Sequence, residues 1–158
     1  MGVEIERKFL PASDGWRELG EPTLLRQGYL SADPTRTVRV RIDGERAFLT
    51  IKGKSVGATR GEWEYPIPVA EAAELLDTLC QQPLVEKYRR RIAVGAHTWE
   101  VDEFLGANAG LVVAEIELAS EDEAFEKPDW IGREVTGEAR YFNSNLIRHP
   151  YSQWKDPA

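Results

Sequence analysis

Eight stretches of this chain alternate apolar and polar residues with period two, the spacing of a β-strand whose two faces meet different surroundings. They are VEIERKFL (3–10), LLRQGYL (24–30), TVRVRI (37–42), AFLTIKG (47–53), EWEYPI (62–67), LVEKYRRRI (84–92), HTWEVDEF (97–104) and LVVAEIEL (111–118). Gly, Pro or Asp-rich turns bound them, and the DGE at 43–45 suits a tight hairpin. One segment keeps a different period. In VAEAAELLDTLCQQ (69–82), Ala72, Leu75, Leu76, Leu79 and Cys80 recur at i, i+3, i+4, i+7 and i+8, one face of an amphipathic helix. A second helix is expected within 138–148, ending before Pro150, with short helical turns at 13–19 and 121–126. Residues 150–158 read as a loose tail that Trp154 could anchor. The pattern predicts an α+β chain, mostly β: eight antiparallel strands in a closed barrel or two packed sheets, with helices outside.

Sorting each strand by face shows where the charge goes. Glu4, Glu6 and Lys8 share one face of the first strand, opposite Val3, Ile5 and Phe9, with Arg7 intruding on the apolar side. Arg39 and Arg41 stand opposite Val38, Val40 and Ile42. Lys52 and Lys54 align with Thr50, and Arg60, Glu62 and Glu64 align opposite Trp63, Tyr65 and Ile67. Lys87, Arg89 and Arg91 share a face, although Glu86 and Arg90 blur the other one. Glu100 and Asp102 oppose Trp99 and Val101; Glu115 and Glu117 oppose Ala114, Ile116 and Leu118.

Two readings compete. In one, the strands are half exposed, charged face to water. In the other, the charged faces line the bore of a barrel, and the helix and C-terminal region cover the apolar outside. The second is favoured by paired Glu and paired Arg repeats, by segregation of acids and bases onto different strands, and by the need of the helix for an apolar sheet face. Such a bore is costly, since a buried ion loses several kcal/mol of hydration unless paired or wetted. It therefore implies a charged ligand. Rows of Arg and Lys match phosphate oxygens, and carboxylates spaced i, i+2 suit a hard divalent cation that also takes substrate phosphates. Together they read as a metal–polyphosphate site.

Composition narrows the class. The 158 residues fit one domain, 1–158, able to bury a core without disulfide or structural metal. Cys80 is the sole cysteine, which excludes an internal disulfide and a Cys-rich zinc site. No run approaches the ~18 apolar residues of a membrane span, so no membrane partner and a cytoplasmic location are expected. The net charge of −7 argues against nucleic acid. GKS at 53–55 lacks the upstream glycine of a phosphate-binding loop, since Phe48 stands there. His97 and His149 have no ligand-like spacing.

EIERKF carries a Glu-x-Glu-x-Lys motif, and RVRI, LTIKG, RGEWEYPI, EKYRRRI, WEVDEF and LVVAEIEL follow in order, closed by GREVTGEARYFNSNLI. Over nearly the whole chain this resembles the CYTH, or triphosphate tunnel metalloenzyme, superfamily, in its short bacterial form. The resemblance implies an eight-stranded antiparallel tunnel acting on triphosphates with Mg²⁺ or Mn²⁺. By matching positions, Glu4, Glu6, Glu115 and Glu117 would hold metal, with Asp102 helping. Lys8, Arg39, Arg41, Lys52, Arg60, Lys87 and Arg89 would grip phosphates. Glu62 and Glu64 would orient water or bind a second metal, and Lys8 joins them as a catalytic group. The leading expectation is hydrolysis of inorganic tripolyphosphate. The alternatives are a thiamine triphosphatase, a nucleoside triphosphatase, a class IV-type adenylate cyclase, or a non-catalytic polyphosphate- or nucleotide-binding module.

Overall fold

In the computed structural model, which describes residues 2–156, each alternating segment is a strand and the strands close on one another. They are β1 (Gly2–Pro11), β2 (Thr23–Ser31), β3 (Arg36–Asp43), β4 (Arg46–Gly53), β5 (Thr59–Ile67), β6 (Val85–Val94), β7 (His97–Phe104) and β8 (Val112–Glu117). Neighbours are antiparallel in the order β5-β4-β3-β2-β6-β7-β8-β1, and β1 pairs back to β5. The seam is divided along β1. Gly2–Ile5 face Glu62–Thr59 of β5 on one edge, and Glu6–Phe9 face Glu117–Ala114 of β8 on the other. Beyond Ile5, where β5 has begun, a ninth strand, β9 (Ile131–Glu134), takes over the free edge of β1, with Phe9 opposite Glu134. Four residues are too few to show a period, so alternation does not predict β9; an edge left open would be a pairing hazard.

The apolar outer faces are covered in two pieces. Helix α1 (Val69–Thr78) lays Ala72 and Leu76, with Cys80 just beyond it, on Val40 and Ala47 of β3 and β4. It stops sooner than the periodicity suggests, and Leu79 is left 65% exposed past its end. Cys80 comes so close to β2 that a Cβ on Gly28 would sit 2.8 Å from the Cys80 Cβ and 2.7 Å from Leu84 Cδ2, which only glycine permits. On the other side, Phe9, Ile92, Trp99, Val101, Ala114 and Ile116 are roofed by Trp16, Phe125 and Trp130 from the connecting segments. Trp99 meets Phe9, Phe125 and Trp130 edge-on at 5.4, 5.8 and 6.1 Å, contacts of about 0.5–1.5 kcal/mol each.

The short segments depart from expectation. Gly15–Glu18 is a 3-10 turn, and 121–126 is not helical. There Glu123 accepts from the Ala119 amide (2.6 Å) and Ser120 donates to Asp122 (2.9 Å), local bonds that compete with a helix. In place of one helix over 138–148, a 3-10 turn at Ala139–Tyr141 and the single-turn α2 (Asn143–Leu146) flank an extended Phe142. The expected loose tail is held: Trp154 is buried edge-on against Tyr141 (5.3 Å) and Tyr151 (5.0 Å), and its indole donates to the His149 carbonyl. Positions 157 and 158 lie outside the described residues.

This C-terminal segment closes one end of the barrel. Tyr141, Leu146, Ile147 and Trp154 pack on Tyr29, Val85, Phe104, Leu111 and Val113. Within their strands or just beside them, those five share the face of Gln27, Lys87, Asp102 and Glu115, the inward one. The segment therefore sits in the bore and not along the outer wall. Among the described residues no helix is long and apolar enough to cross a membrane.

Candidate active site

A barrel has one concave face, so pleat and closure together carry every charged row inward. The result is a cavity of about 410 Å³ whose walls include Glu4, Glu6, Lys8, Arg39, Arg41, Lys52, Arg60, Glu62, Glu64, Lys87, Arg89, Glu115 and Glu117. Exposure rises along its length. Lys87 and Gln27 at the closed end are 0% exposed, whereas Glu64, Arg91 and Glu117 at the other end reach solvent.

The strand order places β1 four positions from β2 in either direction round the barrel. Around β2 the neighbours β3 and β6 bring Arg39, Arg41, Lys87 and Arg89; around β1 the neighbours β8 and β5 bring Glu115, Glu117, Glu62 and Glu64 to join Glu4 and Glu6. One wall is basic and the facing wall acidic, with Lys8 and Arg60 set into the acidic side. Arg89 is paired with Asp102, Glu100 and Glu115, but other members of each wall are short of a counterion. Burial, then Arg39 and Arg89, lower the Arg41 guanidinium from its usual value, and Arg39 Nε is buried with no hydrogen-bond partner. Burial pushes Lys87 down to about 7, with Arg89 and Arg41 acting against the pull of Asp102. Across the bore, burial, then Glu115 and Glu4, hold the Glu6 carboxyl well above its ordinary range. Glu62 is raised by burial and Glu4, Glu117 by burial, Glu4 and Glu100.

Arg89 Nη2, 3.5 Å from Glu115, and Arg39 Nη2, 3.7 Å from Glu64, already bridge the walls, and other pairs form beside the acids. Lys52 Nζ lies 2.8 Å from Glu4 and 3.5 Å from Glu62. Despite its burial, Glu4 is held low by Lys52. Lys8 Nζ is 3.5 Å from Glu115 and 3.6 Å from Glu6; those acids outweigh its burial and raise its pKa. Arg60 donates to the Gly53 carbonyl and to Thr37. Thr50 donates to Glu64 at 2.8 Å and accepts from Arg39 at 3.4 Å.

Asp102 is placed differently from the rest. It is 0% exposed and does not line the cavity. Arg89 grips both of its oxygens through Nε (2.8 Å) and Nη2 (2.9 Å), and Lys87 Nζ lies 2.7 Å away. Its carboxylate, expected from the resemblance to help hold metal, is instead occupied by the two bases that it aims into the bore. Lys54 is exposed beyond β4, while Arg91 and Glu100 do line the cavity. Sorting by charge misses the neutral groups that hold the basic wall. Gln27 accepts from Arg41 Nε at 2.8 Å and donates to Asn143 at 3.1 Å. The strand pattern carries a signal for Gln27, which sits on the opposite face from Arg26; nothing local marks Asn143.

The donor set suits a hard divalent ion. Glu115 and Glu4 crowd the buried Glu6 carboxyl with like charge, a repulsion that a bound cation would relieve. Among the described residues no three acidic, His or Cys groups are already gathered at ligating spacing; Lys8 and Lys52 stand between the acids.

A family model described as CYTH domain matches residues 2–151. An inorganic triphosphatase of Acetivibrio thermocellus is 53% identical over 156 residues, covering 99% of this chain and 100% of that protein. Another, from Nitrosomonas europaea, is 39% identical, covering 91% and 96%. The crystal structure of an inorganic triphosphatase superposes with a TM-score of 0.64 at 34% identity, over 100% of this chain and 99% of that one. Barrel, motif order and relatives agree: the chain belongs to the CYTH domain family.

Proposed function

We propose that this chain hydrolyses inorganic tripolyphosphate to pyrophosphate and phosphate, with Mg²⁺ or Mn²⁺ as cofactor. The observation that carries the reading is the divided tunnel: a wall of cations short of an anion faces a wall of carboxylates short of a cation. A metal–polyphosphate complex satisfies both walls at once, and a bare anion satisfies only one. The names of the two relatives support the same substrate.

In this reading Arg39, Arg41, Lys87 and Arg89 take phosphate oxygens from the β2 side, and Lys8, Lys52 and Arg60 reach them from the other. Asp102 positions Arg89 and Lys87. Glu4, Glu6, Glu115 and Glu117 would hold the metal, which when bound supplies charge neutralisation on phosphate oxygens. Glu62 and Glu64 lie toward the open end, where water enters. They orient a water molecule and accept its proton as its oxygen bonds to the outer terminal phosphorus. The anhydride P–O bond breaks, and pyrophosphate leaves deeper in the bore, its new charge met by Arg41 and Lys87. Placement and electrostatics supply the acceleration.

Phosphate release from tripolyphosphate, ATP, thiamine triphosphate and pyrophosphate, with and without chelator, tests the reading. Tripolyphosphate should be turned over fastest, and chelator should abolish the reaction. Glu117→Gln should cut turnover about 100-fold or more with an unchanged circular dichroism spectrum. Binding of tripolyphosphate without release in either metal, or turnover indifferent to chelator, would overturn it.

A further inference from the structure

We infer that Asn143, the first residue of α2, is a positioning residue that sets which phosphate chain the tunnel accepts. Asn143 lines the closed end of the cavity. Its Oδ1 accepts from Lys87 Nζ at 2.9 Å and from Gln27 Nε2 at 3.1 Å, and Gln27 Oε1 accepts from Arg41 Nε at 2.8 Å. One amide oxygen thus ties the plug to two cations on the basic wall. Lys87 has three N–H donors and two are spent, on Asn143 and Asp102. Arg41 has spent Nε on Gln27 and keeps its terminal nitrogens. What remains free on both cations serves the deepest phosphate.

The segment that carries Asn143 packs Tyr141 and Leu146 against Val85 and Phe104, all buried, while Tyr29 of the same cluster lines the cavity. A sugar, thiazole or further phosphate attached to the deepest phosphate would have to displace that cluster. The inference rests on the triphosphatase reading above, and with it makes the floor a ruler. The inner phosphate must be an unsubstituted terminus, and the reacting phosphorus then lies a fixed number of bonds away, beside Glu62 and Glu64. A triphosphate fits that register. A tetraphosphate seated on the same floor presents an internal phosphorus there.

The test compares wild type with Asn143→Ala and Gln27→Leu, which break the same bridge from its two sides, and with Ile147→Ala, which loosens the plug without touching it. Tripolyphosphate affinity is read by calorimetry in chelator, and kcat and KM for tri- and tetrapolyphosphate are read in Mg²⁺. Each bridge variant that folds should weaken affinity about tenfold, the worth of one hydrogen bond to a charged group. It should also lower the tri-over-tetraphosphate ratio of kcat/KM by a similar factor, mainly through KM. Ile147→Ala should lower Tm and leave both readouts in place. The assignment is overturned if the bridge variants stay within twofold of wild type in affinity and selectivity, or if Ile147→Ala shifts them equally. A wild type that binds tripolyphosphate without hydrolysing it defeats the functional reading alone, and the calorimetric arm still decides the role of Asn143.

Discussion

Glu6 is held as a neutral acid more readily in the fold than in the unfolded chain, because burial comes first and Glu115 and Glu4 add to it. The unfolded side chain titrates near 4.5. Between that pH and the higher folded value, the native state keeps a proton that the unfolded chain has released, so this group's contribution to stability falls as pH rises. Glutamine has the shape of the protonated acid and cannot ionise. In chelator, the Tm of Glu6→Gln relative to wild type should therefore climb as pH rises above 4.5, and added Mg²⁺ should shrink the gain while the variant stays inactive. Parallel Tm-against-pH curves for the two proteins would remove Glu6 from the crowd of acids. Asp102 illustrates the opposite case. Arg89 and Lys87 hold it below the usual carboxylate range against its burial, so its charge is already balanced and it has little to offer a metal.

At the scale of elements, division of labour follows the two faces of each strand. Helix α1 lays its apolar face on the outside of β3 and β4, while the inner faces of the same strands carry Arg39, Arg41 and Lys52. Stability and chemistry can then be separated by mutation. Leu76 is 0% exposed, and Leu76→Ala should cost about 2–5 kcal/mol, read as a lower urea midpoint at constant m-value. Because the lost contacts lie outside the bore, kcat for tripolyphosphate should stay within about twofold of wild type well below the unfolding transition. A kcat that fell with the midpoint would mean that α1 helps set the inner face. The C-terminal elements differ in kind: one short segment supplies Leu146 and Ile147 to the packing around Tyr141 and Trp154 and, separately, Asn143 to Lys87, so packing and site lie side by side there.

Across the whole molecule the tunnel is a dipole built from its own walls. Unliganded, like charges crowd on each side, at a cost that partial pairing by Lys8 and Lys52 does not remove. A ligand that brings only negative charge relieves the β2 side, and one that brings only positive charge relieves the β1 side. Tripolyphosphate and Mg²⁺ together should therefore raise Tm by more than the sum of their separate shifts. Saturation at 100 Kd corresponds to about 2.7 kcal/mol. A calcium substitute that binds without rapid turnover lets the same melt be read free of hydrolysis. Strictly additive shifts would mean that anion and cation occupy independent sites.

What the amino-acid order decided is local. The pleat sends successive side chains to opposite faces, so Glu4 with Glu6, Arg39 with Arg41 and Glu115 with Glu117 were bound to share faces whatever the strands did next, and Ala72, Leu76 and Cys80 were bound to share a helix face. Whether the charged faces looked out to water or in to a bore was not local. It was settled where Gly2 meets Glu62 and Ile5 meets Thr59, a closure between segments far apart in sequence that makes one face concave. The features that alternation could not show share that origin. β9 exists because β1 has an edge to cover, the helix expected over 138–148 is broken because Phe142 and Asn143 turn into the bore, and Asp102 serves Arg89 and Lys87 because β6 and β7 bring them within 3 Å. Periodicity records which face a residue takes, and only the closed barrel determines what that face meets.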